Sequence, residues 1–258
     1  MKKRLLPAMV WWMAMQTCLL ADGGLTQWST IDALLKGYYD GVAGLGEMKK
    51  SGDFGLGTLE SLDGEMLMLD GRVYQIDSRG VVHEPADTVR TPFAAATFFK
   101  GDIVIAAPAG LTLEALQTRI DAVLPSSNLF YAIRVTGRFA HIKTRSVAKQ
   151  EKPYRPLGEV VKTQSLFTFD DSAGTMAGFR CPGFAKGLNV PGYHLHYLTS
   201  DRRGGGHVLG LVTGAGVRVE VSVLRDFTVK LPDSAGFNAL DLSGDRSGEL
   251  EAAESLRK

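Results

Sequence analysis

Short apolar runs separated by glycine-rich turns set the rhythm of this chain, and strands outnumber helices throughout. Ser29-Thr30-Ile31-Asp32 reads as a helix start with Ser29 as N-cap. Ile31, Leu34, Leu35 and Tyr38 recur at helical spacing as far as Gly41. The extended stretch 52–59 carries three glycines, which in a strand mark close backbone approach or a bulge. A turn at Leu62-Asp63-Gly64-Glu65 leads into Met66-Leu67-Met68-Leu69, and Asp70-Gly71 is a hairpin signal before Arg72-Val73-Tyr74-Gln75-Ile76. Two apolar runs, 93–99 and 102–107, come next. Leu113, Leu116, Ile120, Val123 and Leu124 then predict a helix that ends before Pro125. Residues 129–135 read as a strand, Gly137-Arg138 as a turn, and 139–147 as a further strand with His141, Lys143 and Arg145 on one face. Further strands are expected at 165–169, 175–180, 216–224 and 227–231, and a short terminal helix around 250–256. The pattern predicts an α+β fold, strand-rich, with mixed and antiparallel sheets and few helices. Two closely packed halves are expected, 28–150 and 157–258, joined by the proline-bearing segment 149–156.

The most informative stretch is 192–210. Three of the five histidines lie there. His194 and His196 are two apart in an apolar run, so in a strand both imidazoles point to one face. A Ser-Asp-Arg-Arg-Gly-Gly-Gly turn comes after them, and a hairpin read this way returns His207 beside the pair. Three converging imidazoles without a fourth protein ligand are the arrangement of a catalytic zinc with an open position.

Composition narrows the field. The chain has 258 residues and a net charge of +1, with 45% hydrophobic and 22% charged residues. Nothing in that balance, and no basic face, points to a nucleic-acid partner. Met1-Lys2-Lys3-Arg4 followed by an apolar run to Ala21 resembles a secretory signal peptide covering residues 1–21. The expectation is an exported protein with no stable membrane association after processing, or a cytoplasmic one if the segment is retained. After its removal Cys181 is the single thiol, so no internal disulfide can form.

Zinc can polarise a carbonyl or generate hydroxide, and its partners decide which. Glu65, Arg145, Glu251 and Glu254 are candidates, but spacing selects none of them. A wider pattern does. The blocks are Gly52-Asp53-Phe54-Gly55-Leu56-Gly57-Thr58, Leu62-Asp63-Gly64-Glu65, Thr91-Pro92-Phe93, Leu129-Phe130-Tyr131-Ala132-Ile133-Arg134, Lys143-Thr144-Arg145, and Gly192-Tyr193-His194-Leu195-His196 with Gly205-Gly206-His207. In that order the chain resembles the α-acetolactate decarboxylase family from about Thr30 to Glu254. The resemblance implies zinc on His194, His196 and His207, with active-site roles for Glu65 and Arg145. The C-terminal glutamate of the family falls on Glu254, with Glu251 as the alternative register. Thr58 is a further candidate for a hydrogen bond to substrate.

The implied reaction releases carbon dioxide from 2-acetolactate, a 2-hydroxy-3-oxo acid, and gives (R)-acetoin. The resemblance implies that the metal chelates the ketone and hydroxyl oxygens, that Arg145 holds the carboxylate or the developing charge, and that Glu254 protonates the enediolate while Glu65 orients substrate or shuttles protons, or the reverse. A homodimer is also implied. Two other readings of the same histidines compete. One is a zinc hydrolase with Glu65 as base. The other is a non-catalytic metal-binding β-domain, in which Asp201 would be the only carboxylate placed to join the ligands.

Overall fold

A computed structural model describes residues 24–254; the expected signal segment 1–21 lies outside them. In chain order the elements are β1 (Leu25–Trp28), α1 (Ile31–Leu35), β2 (Ala43–Gly44), α2 (Leu45–Met48), β3 (Phe54–Thr58), β4 (Glu65–Leu69), β5 (Arg72–Ile76), β6 (Val82–His83), β7 (Arg90–Thr91), β8 (Ala94–Thr97), β9 (Ile103–Ala107), α3 (Leu113–Asp121), β10 (Phe130–Ser146), α4 (Leu157–Val160), β11 (Ser165–Cys181), β12 (Gly192–Thr199), β13 (Gly205–Thr213), β14 (Val217–Leu224), β15 (Phe227–Lys230), α5 (Ala235–Asn238) and α6 (Ser247–Glu254). The strand-rich α+β expectation holds.

Two sheets carry the structure. The first runs β15-β1-β8-β3-β4-β5-β6, the second β11-β12-β13-β10-β14-β9. An additional β10–β11 pairing closes β10, β11, β12 and β13 into a ring. The sheets divide the chain differently from the halves read at 28–150 and 157–258. Strands β9 and β10 belong with the C-terminal strands, while β15 pairs in parallel with β1. Segment 149–156 is bound along its length rather than bridging two bodies: Gln150 donates its N–H to the Ser61 carbonyl, and Tyr39 donates its hydroxyl to Arg155 O.

Apolar side chains explain the layering. Leu25, Phe54, Leu56, Leu67 and Leu69 of the first sheet meet Phe130, Ala132, Phe179, Leu198 and Leu224 of the second in a shared core. The far face of the second sheet is covered by Leu116 and Ile120 of α3. That of the first is covered by Leu45 and Met48 of α2. At one end α1, α4 and α6 gather over Leu62, Phe93 and Val147, and this end forms the roof of the site.

Several local expectations are corrected. Thr30, not Ser29, caps α1, accepting from the Ala33 N–H at 3.1 Å, and the helix stops at Leu35 instead of running to Gly41. Gly137-Arg138 is no turn, because β10 continues through it. Gly137 has φ +145° there, and a Cβ would press on Val217 and Gly216. The runs 165–169 and 175–180 are likewise one strand, β11. The expected alternation of His141, Lys143 and Arg145 holds, because the β10–β11 register is unbroken from His141 to Ser146, while exposure falls along the strand from His141 to Arg145. Arg145, the innermost of the three, is 4% exposed and sits in register with His207.

Beside that register, Gly206 has φ +133°, and a Cβ on it would collide with the Arg145 carbonyl. Gly206→Ala is therefore expected to cost about 3 kcal/mol, read as a fall in Tm of roughly 6–12 °C. An unchanged melting curve would show that β13 need not approach β10 so closely.

Candidate metal centre and active site

The hairpin places the histidines as its alternation demands. Leu195 and Tyr197 of β12 enter the core shared with α3, while His194 and His196 face the other way. Directly opposite His196 in the ladder is His207 of β13. Ring centroids are 5.0 Å apart for His194–His196 and His194–His207, and 5.4 Å for His196–His207. One nitrogen from each lies within 4.8 Å of the others, so the group could hold a metal ion.

Their electrostatics suit that role. His196 Nδ1 lies 2.8 Å from the Met66 carbonyl, which can only accept. Nδ1 therefore carries the proton, and Nε2 is left with a bare lone pair. Burial, reinforced by the Arg145 charge, brings the His194 pKa down to about 3. Burial and then neighbouring charges hold His196 and His207 well below the ordinary imidazole range. All three are neutral at physiological pH, the ligand form. Each also keeps one buried nitrogen without a hydrogen-bond partner: Nδ1 of His194, Nε2 of His196 and Nδ1 of His207. Buried polar atoms are rarely left so, and one orphan per ring fits a shared ion.

Arg145, Glu65 and Glu254 surround the triad. Glu65 opens β4 and stands across the ladder from Thr58 of β3. Its Oε1 is 3.4 Å from Arg145 Nη1 and its Oε2 3.3 Å from His196 Nε2. Glu254, from the last turn of α6, has Oε1 3.8 Å from Arg145 Nη2 and Oε2 3.6 Å from His207 Nε2. Glu251 is exposed on the same helix, so Glu254 is the register that reaches the histidines. Burial pushes the Glu65 pKa up to about 7, against the pull of Arg145, and that of Glu254 up to about 6. A bound cation would draw both down again. Thr58 Oγ1 donates to the Gly64 carbonyl at 2.7 Å, pinning the turn that precedes Glu65.

These groups line a small cavity. Its polar side is Thr58, Glu65, Arg145, His194, His207 and Glu254; its apolar side is Ile31, Leu34, Leu62, Phe93, Val147 and Leu157. The sequence points to every polar member and to none of the apolar ones as site residues. They look like ordinary core, and only Thr91-Pro92-Phe93, among the family-like blocks, hints at Phe93. The carboxylate needed by a cupin-like metal site is not supplied by Asp201, which is exposed in the hairpin turn and accepts from Thr199 Oγ1 and the Arg203 N–H.

Fold and site together define a two-sheet α+β protein with a buried histidine cluster fit for a metal, facing a guanidinium and two carboxylates. Residues 25–244 match the alpha-acetolactate decarboxylase family. The chain is 45% identical over 234 residues to the alpha-acetolactate decarboxylase of Methanosarcina mazei, covering 91% of this chain and 81% of that one. It is 42% identical over 229 residues to that of Bacillus subtilis, covering 88% and 89%. The crystal structure of the Bacillus subtilis strain 168 enzyme superposes with a TM-score of 0.88 at 41% identity, over 90% of this chain and 99% of the other. The chain thus belongs to the alpha-acetolactate decarboxylase family and is a carboxy-lyase acting on acetolactate. Its substrate is a small molecule, and among the described residues no helix is long and apolar enough to cross a membrane.

Replacing any one of His194, His196 or His207 with Ala is expected to reduce bound metal, measured by mass spectrometry of the elements, to near zero. Full metal stoichiometry in any of the three variants would refute the ligand set.

Proposed function

We propose that the chain converts 2-acetolactate to (R)-acetoin and carbon dioxide with a zinc ion held by His194, His196 and His207. The observation that carries this reading is the set of three buried neutral imidazoles, each with an unpartnered nitrogen, beside a buried guanidinium. Imidazole-only ligation suits several divalent metals; a histidine trio with an open position favours zinc. When bound, the ion supplies positive charge next to the substrate's ketone and hydroxyl oxygens, where negative charge builds as carbon dioxide leaves.

The chain's own residues do the rest. Arg145 is permanently charged and cannot serve as the acid. Its carboxylate neighbours stand at 3.4 and 3.8 Å, longer than the roughly 2.8 Å of a tight ion pair. Its Nε has no partner, so it retains donors for a substrate carboxylate. The Thr58 hydroxyl donates its hydrogen bond to the Gly64 carbonyl, so toward the cavity it can only accept, which fits the substrate hydroxyl. Loss of the carboxyl group leaves an electron pair, delocalised as an enediolate, that must be protonated on carbon.

Glu254 is the donor and Glu65 the group that orients. Glu254 keeps 17% side-chain exposure against 8% for Glu65. It also borders an outer groove formed by Val190, Pro191, Tyr193 and Leu250, from which water can reload it. Glu65 is held between Arg145 and His196. An acid fixed on one side of the enediolate delivers its proton to one face, which accounts for a single enantiomer.

Glu254→Gln is expected to keep its zinc and lose about 10²–10⁴-fold in kcat. A carboxyl donor must be protonated, so wild-type turnover should fall as pH rises past the pKa of Glu254. That value is about 6 without metal and lower once the cation is bound. Unimpaired (R)-acetoin formation by Glu254→Gln, followed by chiral chromatography, would remove Glu254 from the mechanism.

A further inference from the structure

Ser61 and Leu62 both lie in the left-handed region, with φ of +65° and +55°. Consecutive non-glycine residues adopt this conformation rarely, and a bulky side chain there marks strain that the surroundings must enforce. The enforcement is visible. Ser61 donates its N–H to the Tyr39 carbonyl at 2.8 Å and accepts from the Gln150 N–H at 2.7 Å. Its hydroxyl is 3.0 Å from that of Tyr154. Beyond Leu62, the Asp63 N–H bonds to the Leu59 carbonyl and the Gly64 N–H to that of Leu62. The backbone at 62 is thus over-determined, and glycine would satisfy it without strain. Leucine stands there instead, 2% exposed.

Its side chain lines the catalytic cavity. Of the non-glycine residues that do so, Leu62 alone has a positive φ among the described residues. Ile31 and Leu34 come from α1 and Leu157 from α4. A strained position that keeps a large apolar group pointing into a reaction cavity suggests that the group itself is needed there.

We propose that Leu62 is a specificity-determining residue, limiting the size of the alkyl group on the carbon that loses its carboxylate. This rests on the reading of the cavity as the decarboxylation site. The polar members account for the carboxylate, hydroxyl and ketone of the substrate. What remains is its alkyl substituents, which need the apolar wall that Leu62 shares with Leu34, Phe93 and Val147.

The test measures kcat/KM of the zinc-loaded full chain for 2-hydroxy-2-methyl-3-oxobutanoate and for its 2-ethyl homologue. Both substrates are assayed on the same preparation, so the ethyl-to-methyl ratio is independent of the fraction folded. Leu62→Ala is expected to raise that ratio about tenfold, the scale of one methylene in an apolar pocket. Leu62→Gly, which suits the left-handed backbone and so guards against misfolding, is expected to move it the same way. Ratios within twofold of wild type in both variants, with the two substrates losing activity together, would overturn the proposal and leave Leu62 a structural residue. Failure of the wild-type chain to release carbon dioxide from the methyl substrate would instead sink the reading of the site.

Discussion

Everything at this centre depends on burying three imidazoles in the uncharged state beside a permanent cation. His196 and His207 are ladder partners, and His207 is in turn the partner of Arg145. The three side chains therefore lie in a row across β12, β13 and β10. Burial and the guanidinium both disfavour imidazolium, so the same arrangement that places the rings keeps their lone pairs free. Glu65 and Glu254 flank the guanidinium, and burial raises the pKa of both. The result is concentrated unmet bonding capacity. Side-chain atoms that are buried and unpartnered include one nitrogen on each histidine, Nε of Arg145 and Oε2 of Glu254. A fold tolerates such orphans where a ligand is meant to satisfy them.

The architecture supplies this row through irregularities in otherwise ordinary strands. Pairing with His207 sets Arg145 in this row, and Gly206, with its positive φ, allows β13 to approach the Arg145 carbonyl. The Thr58 hydroxyl ties the Gly64 carbonyl, fixing the turn from which Glu65 emerges. Glu254 arrives from the other end of the chain on α6, whose Leu250 and Ala253 sit in the apolar cluster with α1 and α4. The site is thus half built on rigid sheet and half closed by helices. The glutamate that stands beside both Arg145 and His207 belongs to the closing part.

The histidine hairpin was legible because strand alternation has a period of two: His194 and His196 had to share a face, and the 200–204 turn had to bring back His207. The Asp70-Gly71 hairpin was legible for a similar local reason. Long strands were not. Glycine and short polar residues mark turns, but they equally mark kinks, so the pattern breaks β10 at Gly137 and β11 between 169 and 175, where both strands continue. Alternation puts Arg145 on a face with His141 and Lys143, but it cannot express that this face passes from solvent into the interior along β10. Arg145 and Glu65 are 80 positions apart, a contact made by sheet topology, which spacing cannot express; likeness to a family carried that information instead. Leu62 and Phe93 escaped notice as site residues because a cavity wall and a core are built from the same side chains.

X-ray absorption spectroscopy of the zinc-loaded chain tests the central claim most directly. The account requires a first shell containing three imidazole nitrogens at about 2.0–2.1 Å, with the outer-shell scattering of histidine rings and no sulfur. A shell with fewer than three imidazoles, or one dominated by thiolate or carboxylate ligands, would contradict it.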